Sequence, residues 1–497
     1  MALIDGPVLL ILGTLLVTII LVKSLLFSPT IKRNGQSLRK PPDTLPLLGN
    51  GIRFLQARQT LFHWFTSCEK TFGYETFAIS VPTLPPGVVI NDPRNLEFVF
   101  KNESLFGKGE FFKSRSWDLF GYGIINADGN LWKAQRKAGL AFLNTSNLKV
   151  LNDVALAQYL DQTVELLLGK SEDGNVVDLQ DVFHELTSLL MGKMAYNMEM
   201  HTKDDFTVGF DYASGVTAER FQNPLWFITD QFRRPFWKAI RAIRIFGDEI
   251  VAKAQSDKSE KAASALEKDR MGQMSGSLIK SLLDSIPDTE IVADAALNYL
   301  SAGRDTTAQA LTWTFYLVMR HQGVRDEIQR EIERLIAQHG GFGPSLFAPA
   351  TSPYILAVFT EALRLYPPVP FEIKQAVAST TLPDGTYLPK GSVLVWCTWA
   401  MNRSHITWGA DAEEFRPDRW IVDGKFVAKS AHEFPVFNGG QRLCLGKKMA
   451  EAVAVKTMAA LFWMFSFSPA TAGERSSKSS LTLPMEGGLP VRVQTRT

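Results

Sequence analysis

Apolar and polar positions follow two periods along the chain. Residues 61–72 place apolar side chains every three to four positions, the spacing of a helix with one buried face. Most of 127–318 does the same, broken at Pro224, Pro235 and Pro287. A long helical run is predicted over 291–319, and an amphipathic one with charge pairs four residues apart over 323–339. Another over 354–365 is stopped by Pro367 and Pro368. Short apolar or alternating runs at 76–81, 87–90, 386–388 and 393–399 lie between Gly and Pro turns and predict strands. The polar stretch 255–277, rich in Ser and Lys, predicts a surface connection. The sum is a mainly α fold with small β-sheets and no internal repeat.

The amino terminus fits neither period. Residues 6–22 carry no charge and are mostly Leu, Ile and Val, which predicts one membrane-spanning helix within 1–28, since a bilayer core takes about 20 apolar residues. Lys23, Lys32, Arg33, Arg39 and Lys40 follow the run and only Asp5 precedes it. That asymmetry keeps the basic side cytosolic and is the reverse of a cleaved signal peptide. Residues 29–50, basic and then Pro-rich at Pro41, Pro42 and Pro46, predict a stiff linker, which leaves 51–497 as the main body.

Composition excludes more than it adds. The 53 Lys plus Arg nearly balance the 51 Asp plus Glu, so no long-range field draws in nucleic acid. A chain of 497 residues that is 45% hydrophobic buries a large core and is not a disordered tail. Cys68, Cys397 and Cys444 are too widely spaced for a zinc cluster or a redox pair, and they point to a reducing compartment.

The densest chemistry surrounds Cys444. Phe437-Asn438-Gly439-Gly440-Gln441-Arg442-Leu443-Cys444-Leu445-Gly446 sets one cysteine in a Gly-rich loop ahead of a helix predicted over 445–462, whose dipole and backbone donors favour a thiolate. The glycines let backbone pass close to a flat ligand, and Arg442 can pair with a carboxylate. Read alone, a lone cysteine is more often a small buried hydrophobe, the reading given to Cys68 and Cys397. Phe437, Gly440, Arg442, Cys444 and Gly446 match every fixed position of the haem-binding signature of the cytochrome P-450 family. The chain resembles that family over essentially its whole length.

The resemblance implies the cytochrome P-450 fold, preceded by the single membrane helix. Cys444 is then the axial thiolate ligand of haem b, Arg442 a propionate partner, and Phe437 the aromatic beside the thiolate. Trp132 and Arg136, four apart, read as a core tryptophan beside a solvated arginine, yet they match the family's other propionate donors. Lys374 stands where many relatives carry an arginine, which keeps the charge and loses the fork. Glu361 and Arg364 describe a surface ion pair by spacing; they resemble the family's Glu-x-x-Arg motif, with Arg419 completing a structural network. Ala302-Gly303-Arg304-Asp305-Thr306-Thr307 contains poor helix formers, so a local opening or bend is expected. It resembles the distal oxygen-activation motif, in which Gly303 makes room for dioxygen, Thr306 holds it or its water, and Asp305 relays protons.

The activity so implied is monooxygenation of a lipophilic substrate, with electrons from a separate NADPH-dependent reductase and cytochrome b5 as a second carrier. Lys447 and Lys448 are the docking candidates, and the protein is expected as a single-pass protein of the endoplasmic reticulum membrane with a cytosolic catalytic domain over 51–497. The motif phrases look most like fungal and plant members that hydroxylate fatty acids and alkanes. The alternative is a fungal secondary-metabolite hydroxylase acting on a polyketide or terpenoid. Apolar residues around 83–89 and 221–236 are the candidates for an entry channel.

Overall fold

The protein is described here as a computed structural model covering residues 13–15, 18, 31–81, 84–261 and 276–496. Among the described residues, long helices make up the body and four small sheets flank them. The run expected over 291–319 is the helix Thr289–Arg320, opened by Asp288, whose side chain accepts from the backbone N–H of Glu290 and Ile291 at 2.9 and 3.4 Å. From Val292 to Val318 nearly every residue is buried, so this central helix is enclosed on all sides and forms the spine of the core. Helices Arg58–Phe72, Gln322–His339 and Pro353–Leu365 lie within a few residues of their expected positions.

The largest sheet orders its strands Phe77–Ile79, Gly87–Val89, Val393–Cys397, Phe371–Ala376 and Phe106–Gly107. Val393–Cys397 runs parallel to Gly87–Val89 and antiparallel to Phe371–Ala376, with Leu394 opposite Lys374. The parallel pair is connected only through the helical body, so sheet and helices form one unit. Part of the expected linker belongs to that unit as well. Lys32–Arg33 pairs with Thr386–Leu388, and Arg33 and Arg39 hold Glu75 at 2.5 and 2.8 Å. Asp43 accepts from Arg53 Nε at 2.6 Å and from Trp64 Nε1 at 2.9 Å.

The membrane-spanning helix expected within 1–28 is corrected. Among the described residues no helix is long and apolar enough to cross a membrane. Of that segment only 13–15 and 18 are described, as helix; the rest of it lies outside the described residues. The single-pass endoplasmic reticulum placement depended on that helix and is withdrawn with it. Of the connection expected at 255–277, the chain is helical to residue 261 and again from Ser277, and 262–275 lie outside the described residues.

Candidate active site

The loop carrying Cys444 meets the central helix beside the helix Gly129–Phe142. Tyr299, one turn before Gly303, donates to the Gln135 carbonyl at 2.9 Å, and Leu445 and Tyr299 both press on Gly139, where a Cβ would come within 2.9 Å of Leu445 Cδ1. Phe437 closes the loop by accepting the Cys444 backbone N–H at 2.8 Å. Gly440 has φ +61°, and a Cβ there would fall 2.1 Å from the Phe100 carbonyl oxygen. The close approach expected of this glycine is therefore to the protein's own helix Pro93–Lys101. The following helix starts at Lys447, two residues later than expected.

Cys444 is exposed on its loop, with protein packed around the rest of it. Burial raises its thiol above the usual range, against the backbone N–H groups of Gly446 and Lys447 and the charges of Arg136 and Lys447. On the central helix, Ala302 is exposed and Thr306 half-buried in the midst of buried residues. The Thr306 hydroxyl donates to the Ala302 carbonyl at 2.7 Å, and the helix runs on through the expected opening without interruption. Gly303 faces elsewhere: a Cβ there would meet Met191 Sδ at 2.6 Å, so the missing side chain is filled by methionine.

Cations gather beside the cysteine loop. Arg442 donates to Asp128 Oδ1 at 2.8 Å, to the Ala127 carbonyl at 3.0 Å and to Glu103, and it lies 4.3 Å over the ring of Trp132. Arg136 donates to the Leu443 carbonyl at 3.0 Å and sits 5.4 Å over the same ring. Lys374 is buried with no ion pair or hydrogen bond among the described residues. Burial, reinforced by Lys108 and Arg442, lowers its pKa to about 8. Lys108 pairs with Glu372 at 3.4 Å. A buried ammonium without a counter-charge is costly unless an anion joins it.

The Glu361 network is complete. Both oxygens of Glu361 accept from Arg364 at 2.8 Å, and Arg419 Nε, the Arg416 N–H and Trp420 Nε1 add contacts at 2.9, 3.0 and 2.9 Å. Arg364 spends its remaining donors on the carbonyls of Asn402, Ala412 and Glu414. Burial alone would raise the Glu361 carboxyl, but Arg364 and Arg419 hold it below its usual range. Trp420 was not anticipated as a member, because an indole in sequence carries no sign of its partner.

Asp305 lies in a less settled cluster. Arg304 Nη1 is 2.8 Å from Asp305 Oδ1, yet off the hydrogen-bond direction, and that oxygen is buried without a hydrogen bond. Arg304 also donates to Ser188 Oγ at 3.0 Å and to Asp211 at 3.3 Å; Asp211 reaches the surface with 41% of its side chain exposed. His184 Nδ1 is 3.9 Å from Asp305 Oδ1 and likewise has no hydrogen bond. Burial pushes the Asp305 carboxyl well up, with Arg304 opposing, and pulls His184 down to about 3. Sequence reading missed His184 and Ser188, which approach Asp305 only through tertiary packing.

An apolar cavity of about 910 Å³, counting the space at its mouth, adjoins the same sheet. Leu61, Phe65, Phe111, Phe221, Phe371 and Ile373 are among its walls, and Arg58 is its one charged lining residue. Leu84, Pro85 and Gly87, within the segment 83–89, line it too. On strand Phe371–Ala376, Phe371 and Ile373 face the cavity while the alternate residue Lys374 lies with the cations.

A reachable sulfur, an alcohol and a carboxyl on one helix, and a buried ammonium without an ion pair beside Arg442 suit a flat, dianionic metal cofactor bound through sulfur, the haem-thiolate class. A family model described as Cytochrome P-450 matches residues 40–489, and the chain belongs to that family. It is similar to cytochrome P-450 94A1 of Vicia sativa, 29% identical over 92% of this chain and 90% of the relative. It is 31% identical to cytochrome P-450 86B1 of Arabidopsis thaliana, over 82% and 77% of the two chains. With cytochrome P-450 CYP94D109 of Paris polyphylla the identity is 32% over 82% and 85%. These relatives are plant proteins, so the fungal affinity expected from the motif phrases is corrected. The protein is a cytochrome P-450 monooxygenase, an oxidoreductase, and its cofactor is haem b with an axial cysteine thiolate.

Proposed function

We propose that this monooxygenase hydroxylates an alkyl chain, that of a fatty acid or a related lipid, in the cavity beside the five-stranded sheet. The observation that carries the reading is the cavity's wall, aromatic and aliphatic except for Arg58 and Gln222, which rewards a long apolar chain by burying its surface.

Bound haem would supply the iron chemistry that uses dioxygen and two electrons from a reductase to insert one oxygen atom into a C–H bond and release the other as water. Cys444 would hold the iron through Sγ, with the N–H groups of Gly446 and Lys447 orienting the sulfur. Phe437 and Gly440 keep the loop closed against the helix Pro93–Lys101. Arg442, Arg136, Trp132 and Lys374 would bind its propionates. Thr306 orients oxygen or a water with its hydroxyl, and Asp305, readily protonated where it lies, passes protons inward. Electrons come from a separate NADPH-dependent reductase docking on the face that carries Lys447 and Lys448.

The reading is tested by incubating the reductase-supplemented protein with mixed fatty acids, alkanes, polyketides and terpenoids, using Cys444→Ala as blank, and scoring added oxygen by mass spectrometry. Hydroxylated alkyl chains are expected; oxidation confined to polyketides or terpenoids overturns the proposal.

A further inference from the structure

Arg58 begins the helix Arg58–Phe72 and reaches the apolar cavity as its one charged lining residue. It is 9% exposed. The rings of Phe62 and Phe371, each 5.5 Å from the guanidinium carbon, hold the group in place. Among the described residues it has no ion pair and no hydrogen bond, and its Nε is buried without a partner. Burial lowers its pKa to about 10, which leaves it charged at neutral pH. Arg115 offers a contrast. It too is buried with an unpartnered Nε, but it does not line the cavity and it donates to the Phe111 carbonyl at 3.0 Å. Gln222, the other polar side chain of the wall, already donates to the carbonyls of Phe54 and Gln56. A charge taken out of water and left unpaired is among the most unfavourable features a core can hold, and an entering anion relieves it.

We propose that Arg58 is the binding site for a carboxylate on the substrate, so that the preferred ligand is a long-chain carboxylic acid with its head at Arg58 and its chain among Leu61, Phe65, Phe111 and Phe221. The inference rests on the alkyl-chain reading and narrows it. The guanidinium fork matches a carboxylate through two parallel hydrogen bonds, and the two rings lie against it before the ligand arrives. An alkane or a primary alcohol fills the same walls and leaves the charge unanswered.

Calorimetric titration of the haem-loaded full chain with dodecanoate and with 1-dodecanol at neutral pH tests this without depending on turnover. Dodecanoate is expected to bind about tenfold or more tightly than the alcohol. Arg58→Gln should remove that preference and leave 1-dodecanol binding unchanged. Arg58→Lys, which keeps the charge and serves if the glutamine variant does not fold, should reduce the preference without abolishing it. Equal affinity for acid and alcohol in the unaltered protein, or a preference untouched by either substitution, overturns the carboxylate site and leaves the alkyl-chain reading standing. Binding of neither probe overturns the alkyl-chain reading and this site with it.

Discussion

Two buried charge clusters in this protein are built from the same kinds of residue and reach opposite states. Around Glu361, each carboxylate oxygen and the donors of Arg364 are met, and the carboxyl is held ionised. Around Asp305, an oxygen and the His184 nitrogen beside it lack hydrogen bonds, the carboxyl is raised and the imidazole depressed. A fully satisfied network has one stable arrangement and serves as a brace. A partly satisfied one keeps its protons loosely assigned, which suits a group that must give a proton up and regain it.

The sharpest way to break the brace is Arg364→Ala. It leaves Glu361 buried with fewer partners and should cost about 3–5 kcal/mol, read as a lowered denaturation midpoint and loss of haem on purification. Stability equal to the unaltered protein would remove the distinction between the clusters. Asp305→Asn should do the reverse, keeping the fold and the haem while product formation falls about 10²-fold; the check pairs turnover with a melting curve. An asparagine protein with full turnover would mean that Asp305 moves no proton.

The third and smallest effect is in pH dependence. Between pH 3.8 and 6.5 the native state keeps a proton on Asp305 that the unfolded chain has released, while the unfolded chain keeps one on His184 that the native state refuses. The first makes stability fall as pH rises and the second makes it rise, so they oppose each other. His184→Asn removes the second alone. Relative to the unaltered protein, its stability should then decline with pH across that window by up to about 1.4 kcal/mol per unit, measured by denaturant titration at several pH values. Parallel pH profiles for the two proteins would show that His184 titrates alike folded and unfolded.

What could be read from sequence was whatever is local. Glu361 and Arg364 sit one helical turn apart and Cys444 lies within a contiguous loop, so their spacing was visible, and the central helix showed itself through its helical period, although its Gly and Thr residues suggested an opening that the helix does not show. Trp420 on Glu361, Met191 filling the place beside Gly303, and His184 beside Asp305 depend on segments that meet only when the chain folds. The isolation of Arg58 is harder still to read, because a sequence shows charges but not the absence of partners. The apolar run at the amino terminus misled for a related reason: hydropathy gives a stretch's capacity to enter a bilayer, and no helix among the described residues realises it.

Strand Phe371–Ala376 divides a greasy chamber from a cationic one by nothing more than the alternation of its side chains. Shifting it by one position would swing an ammonium in among the aromatic walls and turn a phenyl ring toward the arginines. Diversification of this enzyme's pocket is therefore free to exchange residues along that ribbon but not to insert or delete one.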